Sequence, residues 1–568
     1  MTFDTARNMT RVKQTRQSNP IGWMIFLFLL LLLPNLATLL FCTEFTLFKR
    51  LAALCFAIII WMLPAMFLRA KSYFLLMSLF MLPAPVEIGC AYIKKIPLNE
   101  GLISSIVCTH ASEAIELTSQ FFGFIPFILL VWAVYYYIVW KKISNVPIFP
   151  VRYRKIGILI FLLFNVGLWG SMYYITSMHR PDRWGAINAT NDNFWKKYQI
   201  VYPCNIVYSS YQIESKRRLI NRMHKELHTF HFNAHREQSV AEPEVYVLII
   251  GESARYDHFG INGYERQTTP LLSQTPNLLS YSDVYATANL TEYAIPLLLS
   301  RATPHTIDRQ YKEKALPDLF KEAGFSTYWI ANQGSTYPFV QRIVKETDGH
   351  YFLATLPNSS GGQDDQLLPY LDEFLDKDDP KQFIVIHTYG SHFQFDMRYP
   401  ESFTRFKPHL SKEMMLDGSA KCKERLINSY DNTILFTDYF ISQVIQRLQQ
   451  KNKTSLLIYV SDHAESLYDP PTHRVLHGNT RPETVEIHIP LLLWYSDSYQ
   501  EHFPEKVCSL KQNIDKRLSS TNLFDTFTDI AGIRYPNESL EQSFASPLFK
   551  EDSLRYLLTP EQQVISKR

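Results

Sequence analysis

Val247-Leu248-Ile249-Ile250-Gly251-Glu252-Ser253 is an apolar run that ends in a glycine and an acid. More than two hundred residues later, Leu457-Ile458-Tyr459-Val460-Ser461-Asp462-His463 ends the same way, in two more metal-ligand types. Short apolar runs bounded by turn residues read as strands. Open α/β sheets build their sites at the C-terminal edge of such strands, which is where Glu252, Asp462 and His463 fall. An acid–acid–histidine set suits Zn²⁺ or a similar divalent ion. Gly251 is expected to allow a sharp turn that aims the Glu252 carboxylate into the sheet-edge crevice. Either run alone has an ordinary explanation, because buried strands often end in polar residues.

Working outward, Tyr246–Ile250, Thr327–Ala331, Phe383–His387, Leu456–Val460 and Pro490–Trp494 all read as strands. Amphipathic stretches such as Lys314–Ala323 and Arg425–Gln449 lie between them. That alternation predicts an α/β sandwich around a mixed, mostly parallel central sheet over residues 244–568. At 568 residues the chain exceeds one ordinary domain. Its net charge of +3 gives no basic face of the kind nucleic acid requires, so no nucleic-acid partner is expected.

Residues 1–178 differ in kind. Ile21–Phe41, Leu51–Phe67, Tyr73–Tyr92, Phe121–Trp140 and Ile156–Tyr174 are each near the ~20 apolar residues that cross a bilayer core. Five in succession predict an α-helical transmembrane domain rather than buried soluble helices. The first is long and lacks a small-residue cleavage site, so it is read as a helix and not a signal peptide. Arg7, Arg11, Lys13, Arg16, Arg69, Lys71, Lys141, Lys142, Arg152, Arg154 and Lys155 fall on one side of these spans. Only Lys49, Arg50, Lys94 and Lys95 fall on the other. The positive-inside rule then puts the N-terminus in the cytoplasm and everything after residue 178 outside. Residues 179–243 read as an amphipathic connector, with Arg180, Trp184, Phe194 and Trp195 as interfacial residues and a charged, helix-like stretch over Glu214–Glu237. Of the seven cysteines, Cys42, Cys55, Cys90 and Cys108 lie in or near the spans, while Cys204, Cys422 and Cys508 are exported. None has metal-finger spacing.

Two further places in the exported half carry side chains with chemical use. Thr291 opens a helix-like run in Ala288-Asn289-Leu290-Thr291-Glu292-Tyr293. The common role of a threonine there is to cap the helix. The same position suits a nucleophile, because a divalent metal lowers the pKa of a bound hydroxyl and helix amides stabilise an attached phosphoryl group. His392 follows the strand run Phe383–His387, and Glu465, His473 and His477 follow Asp462-His463. Histidines beside strand-end acids point to metal or phosphate binding.

At these residues the chain resembles the membrane-bound phosphoethanolamine transferases, a branch of the alkaline phosphatase and sulfatase superfamily that includes the mobile colistin-resistance enzymes. The motifs are Gly251-Glu252-Ser253-Ala254-Arg255, Asn262-Gly263-Tyr264-Glu265-Arg266-Gln267-Thr268-Thr269-Pro270, Ser461-Asp462-His463-Ala464-Glu465-Ser466-Leu467 and Leu476-His477-Gly478. Leu426-Ile427-Asn428-Ser429-Tyr430-Asp431-Asn432 also looks like the family's helix ahead of the metal motif. The resemblance implies one tightly bound zinc held by Glu252, Thr291, Asp462 and His463, with Thr291 as the nucleophile. It implies that His392 and His477 contact the transferred phosphate or a second metal. It further implies a phosphatidylethanolamine donor, a lipopolysaccharide-type acceptor, and a monomer in a Gram-negative inner membrane with its catalytic domain in the periplasm.

The chain also departs from that pattern. Members that modify lipid A have a cysteine-bearing Ser-Cys-Gly-Thr-x-Thr before the nucleophile and Pro-Cys after it. Here the segments are Ala286-Thr287-Ala288-Asn289-Leu290-Thr291 and Pro296-Leu297. The lysine that some members place near the phosphate has no counterpart around Asn332-Gln333-Gly334. These departures lean towards a core sugar or another periplasmic glycan as acceptor. A sulfatase activity is excluded, because no Cys/Ser-x-Pro-x-Arg segment lies near residue 291. A glycerol-phosphate transferase of the lipoteichoic-acid-synthase type is the nearest enzymatic rival. A non-catalytic scaffold would predict damaged ligands, and the four are intact.

Overall fold

The computed structural model describes residues 20–43, 45–108, 122–179, 182–227, 229–237, 240–334, 337–355, 363–411 and 420–567. Arg7, Arg11, Lys13 and Arg16, the start of the fourth expected span at Phe121, and Arg180 lie outside them. The chain forms two compact units. Met1–Ile88 with Gly123–Pro203 make one, and Gly89–Phe122 with Cys204–Arg568 make the other.

The described residues of each of the five expected spans fall chiefly in helices or, in the third, in a broken helical pair. Pro20–Phe41, Leu47–Ala65 and Val151–Met178 are individually long and apolar enough to cross a bilayer. The third is broken: Ala70–Met81 and Ala84–Ile93 meet the criterion only as a pair, bent by 49°. Pro83 sits at the break, where its missing N–H and fixed φ prevent a continuous helix. The fourth, Ile125–Lys141, is apolar but only 17 residues long. In the connector, Trp184 and Trp195 are exposed on the helix Arg183–Tyr198, as interfacial anchors would be.

The second unit is built on one seven-stranded sheet. In chain order its strands are β1 (Glu244–Gly251), β2 (Leu278–Tyr281), β3 (Ser326–Ala331), β4 (Gly349–Phe352), β5 (Lys381–His387), β6 (Thr454–Ser461) and β7 (Leu491–Tyr495). They lie in the order β2-β7-β6-β1-β5-β3-β4. Five are mutually parallel, and β7 runs antiparallel to both β6 and β2. The expected mixed, mostly parallel sheet is therefore present.

The unbroken apolar run in β1 has a direct cause. Tyr246, Leu248 and Ile250 enter one core while Val245, Val247 and Ile249 enter the other. A strand covered on both faces cannot alternate apolar with polar. The first core is closed by the helices Thr291–Leu299, Leu316–Glu322 and Asn522–Ile530. The second is closed by Leu368–Leu375 and the 29-residue helix Lys423–Lys451, which ends on Asn452 in the left-handed conformation. β1 and β6 are adjacent and in register, Gly251 opposite Ser461. Glu252 and Asp462 thus leave the same edge side by side.

Candidate metal and nucleophile site

Glu252, Asp462 and His463 are fully buried, and their ligand atoms lie within 4.8 Å of one another. His463 Nε2 is 3.4 Å from Glu252 Oε1 and 3.3 Å from Asp462 Oδ2. Thr291 Oγ1 completes the group, 3.4 Å from Glu252 Oε2 and 3.2 Å from His463 Nε2. Thr291 does not cap its helix. Leu290 holds the N-cap position in an extended conformation, and Thr291 is the first helical residue. Its hydroxyl is therefore turned to the acids and the imidazole, and the capping reading gives way.

The local backbone explains how the acids are held. Asp462 Oδ1 accepts from its neighbour's amide, His463 N, at 2.7 Å and from Ser253 N at 3.2 Å. Asp462 Oδ2 is buried with no hydrogen-bond partner. Ser253 has φ +57°, a strained value for a side-chain-bearing residue, and in it the Ser253 hydroxyl donates to Glu252 Oε1 at 2.8 Å. The sharp turn thus falls on Ser253 and not on Gly251. Gly251 is required for space: a Cβ there would lie 2.4 Å from the Tyr459 hydroxyl on β6. Gly390 has φ +47°, and a Cβ on it would come within 2.9 Å of the Glu252 carbonyl oxygen. That close approach lets Ser391 N donate to the same carbonyl at 2.9 Å.

The electrostatics suit a cation. Burial pushes the Asp462 carboxyl up to about 6. Burial, then the adjacent Asp462, raises Glu252, while burial lowers His463. Two carboxylates crowded into one dry place disfavour their own ionisation, which a divalent cation would reverse. The set of two carboxylates, one imidazole and one hydroxyl, with an orphaned carboxylate oxygen, fits zinc.

The two other predicted histidines flank this group. His477 packs ring to ring with His463, centroids 4.0 Å apart, and its Nδ1 meets Glu465 Oε1 at 3.0 Å. His392 donates from Nδ1 to the Phe393 carbonyl at 2.7 Å and lies close enough to act electrostatically on Glu252 and Asp462. His473, by contrast, is exposed and packs at a tilt against the Tyr468 ring. Asp431 accepts from Tyr264 Oη and Arg266 Nη1 at 3.0 and 2.8 Å and pairs with His258 Nδ1 at 2.6 Å. The Asn-Gly-Tyr-x-Arg motif is thereby tied to the long helix and serves as scaffold.

Sequence reasoning missed Gln333. Its amide nitrogen donates to Glu252 Oε2 at 2.8 Å and to the Thr388 carbonyl at 3.0 Å. The signal was available, since Gln333 follows β3 at the same sheet edge. It also missed Asp364, which accepts from Tyr389 N, Gly390 N and Asn332 Nδ2 and so shapes the loop that carries His392. Among the exported cysteines, Cys204 and Cys508 are free thiols.

Comparison with known proteins agrees with this geometry. Phosphoethanolamine transferase EptC of Escherichia coli (strain K12) is 27% identical over 454 residues, covering 78% of this chain and 77% of that protein. The crystal structure of the C-terminal periplasmic domain of EptC from E. coli in complex with Zn has a TM-score of 0.52 and 29% identity, covering 58% of this chain and 92% of that one. The integral membrane lipooligosaccharide phosphoethanolamine transferase A from Neisseria meningitidis shares the fold over nearly the full length. Its TM-score is 0.70 at 20% identity, covering 92% of this chain and 98% of that one. The sulfatase family model matches residues 244–533, just over half of the sequence, and on that match the chain belongs to the sulfatase family.

Proposed function

We propose that this chain transfers phosphoethanolamine from phosphatidylethanolamine to a lipopolysaccharide-type acceptor through a phospho-Thr291 intermediate. The observation that carries the reading is the placement of Thr291 Oγ1, 3.4 Å from Glu252 and 3.2 Å from His463, at the start of a nine-residue helix. Glu252, Thr291, Asp462 and His463 would hold one zinc ion. When bound, zinc supplies the positive charge that makes a threonine hydroxyl reactive at neutral pH and offsets charge on the phosphoryl oxygens.

The chain's own residues supply the rest. Thr291 Oγ attacks phosphorus, the bond from phosphorus to the glycerol oxygen breaks, and diacylglycerol leaves with a proton. The positive end of the helix Thr291–Leu299 faces the new phosphate ester. An acceptor oxygen then attacks the same phosphorus, the bond to Thr291 breaks, and the free threonine is regenerated. His477 and His392 would contact the phosphoryl oxygens or move the proton of each half-reaction.

We further read residues 1–178 as the membrane domain, 179–243 as the connector and 244–568 as the catalytic domain, periplasmic in an inner membrane. Donor and acceptor both lie in a bilayer, so tethering raises the local concentration of catalyst. We read the chain as acting as a monomer. EptC of E. coli carries the name of the same reaction, which supports the donor group.

The test is turnover of a fluorescent phosphatidylethanolamine analogue by the wild type and Thr291→Ala. The variant is expected to be folded, metal-binding and inactive, and comparable turnover contradicts the assignment. Mass spectrometry of lipid A and core oligosaccharide, with and without the protein, identifies the acceptor.

A further inference from the structure

One cation reaches the catalytic unit from an unexpected part of the sequence. Lys94 directly follows the helix Ala84–Ile93, more than 380 residues before His477, and its ammonium donates to the His477 carbonyl oxygen at 2.9 Å. Beside it, Glu465 is fully buried, gives Oε1 to His477 Nδ1 at 3.0 Å, and has no hydrogen-bond partner for Oε2. The Lys94 charge acts on Glu465 and on the second buried acid, Glu486.

The same segment also closes on the nucleophile. A Cβ on Gly101 would lie 2.6 Å from Leu290 Cδ1 and 3.1 Å from Pro560 Cβ, and Asn99 Nδ2 donates to Glu561 Oε1 at 3.2 Å. Gly478, directly after His477, has φ +77°, and a Cβ there would lie 2.9 Å from Leu290 Cδ2 and 3.9 Å from Lys94 Nζ. Lys94, Gly478 and Leu290 therefore meet in one place, one residue from both His477 and Thr291.

We propose that Lys94 is a positioning residue that acts through Glu465 and the His477 main chain to orient the His477 imidazole towards the phosphoryl group on Thr291. The inference rests on the reading of Thr291 given above and adds a residue that reading does not use. Glu465 is fully buried with Oε1 turned to His477 Nδ1 at 3.0 Å, and Lys94 holds the His477 carbonyl at 2.9 Å, so ring and main chain of one histidine are fixed from two sides. Glu465 Oε1 accepts from His477 Nδ1, which fixes the tautomer and leaves Nε2 as the nitrogen available to substrate. The hydrogen bond from Lys94 to the His477 carbonyl holds the main chain from which that ring projects. In this arrangement the segment after the third span completes the catalytic site and does more than join two helices.

The experiment uses the full-length protein in phosphatidylethanolamine vesicles, comparing the wild type, Lys94→Met and Lys94→Arg. Zinc content, melting temperature, kcat and KM are measured on each. Lys94→Met is expected to keep its zinc and melting temperature, with KM little changed and kcat lowered by about 10–100-fold. Lys94→Arg, which keeps charge and donor, is expected to recover most of the lost kcat. Three results overturn the proposal: wild-type kcat in Lys94→Met, a raised KM with unchanged kcat, or loss of zinc or of folding in both variants. Inactive wild type overturns the parent reading itself, whereas active wild type with an unaffected Lys94→Met overturns this inference alone.

Discussion

Asp462 commits one carboxylate oxygen to two backbone amides and keeps the other buried and without a hydrogen bond, facing His463 at 3.3 Å. Glu252 is braced in the same way by Ser253 and Gln333. A pair so oriented is pre-organised for a cation. Gln333→Leu removes the donor to Glu252 Oε2 while keeping a side chain of similar size. It should lower zinc affinity or turnover by about 10–100-fold, read by chelator competition and by kcat/KM, with little change in melting temperature. Unchanged zinc affinity and turnover would show that Gln333 is a bystander. The acids and His463 were legible because a strand end fixes where they point. Gln333 was only half legible: its place after β3 put it at the same sheet edge, but an amide names no partner until Glu252 is seen beside it. Ser253 was hidden for a related reason: the glycine beside it looked like the turn residue, and only the Tyr459 ring shows that Gly251 answers to space.

Among the elements, the long helix Lys423–Lys451 holds the second core and the motif loop together. Asp438 on that helix accepts from Leu271 N and Leu272 N at 3.0 and 2.8 Å, and burial pushes its carboxyl up to about 6. The folded pKa lies above the unfolded one, so the folded state holds the extra proton between about 4 and 6. This contribution to stability is full below that window and is lost as pH rises through about 6. Asp438→Asn should therefore flatten the fall in stability between pH 5 and 7.5 by at most about 1.4 kcal/mol, measured by urea unfolding at both pH values. An identical pH dependence in the variant would refute the assignment. The five central strands were legible because both of their faces are covered and the runs are continuously apolar. The edge strands β2 and β4 were missed, since four residues with mixed burial leave no periodicity to read. The third span read as one continuous apolar stretch, and the break at Pro83 is a backbone effect that hydropathy does not register.

For the whole molecule, the described residues 93–108 group with the catalytic unit although hydropathy assigns them to a connection between spans. Sequence distance hides such a grouping, because nothing local marks Lys94 as the partner of His477. Zinc that binds the folded unit and not the unfolded chain also stabilises it. Chelation should abolish turnover and lower the melting temperature by the equivalent of about 3–4 kcal/mol at saturating metal, with both restored by Zn²⁺. Full activity in metal-stripped protein would contradict the site. The most direct measurement is intact-mass and peptide mass spectrometry of the full-length wild type and Thr291→Ala after brief exposure to phosphatidylethanolamine without acceptor. One phosphoethanolamine group is expected on Thr291 of the wild type, discharged when acceptor is added, and none on the variant. Turnover by Thr291→Ala at the wild-type rate, or an adduct carried on another residue, would contradict that expectation.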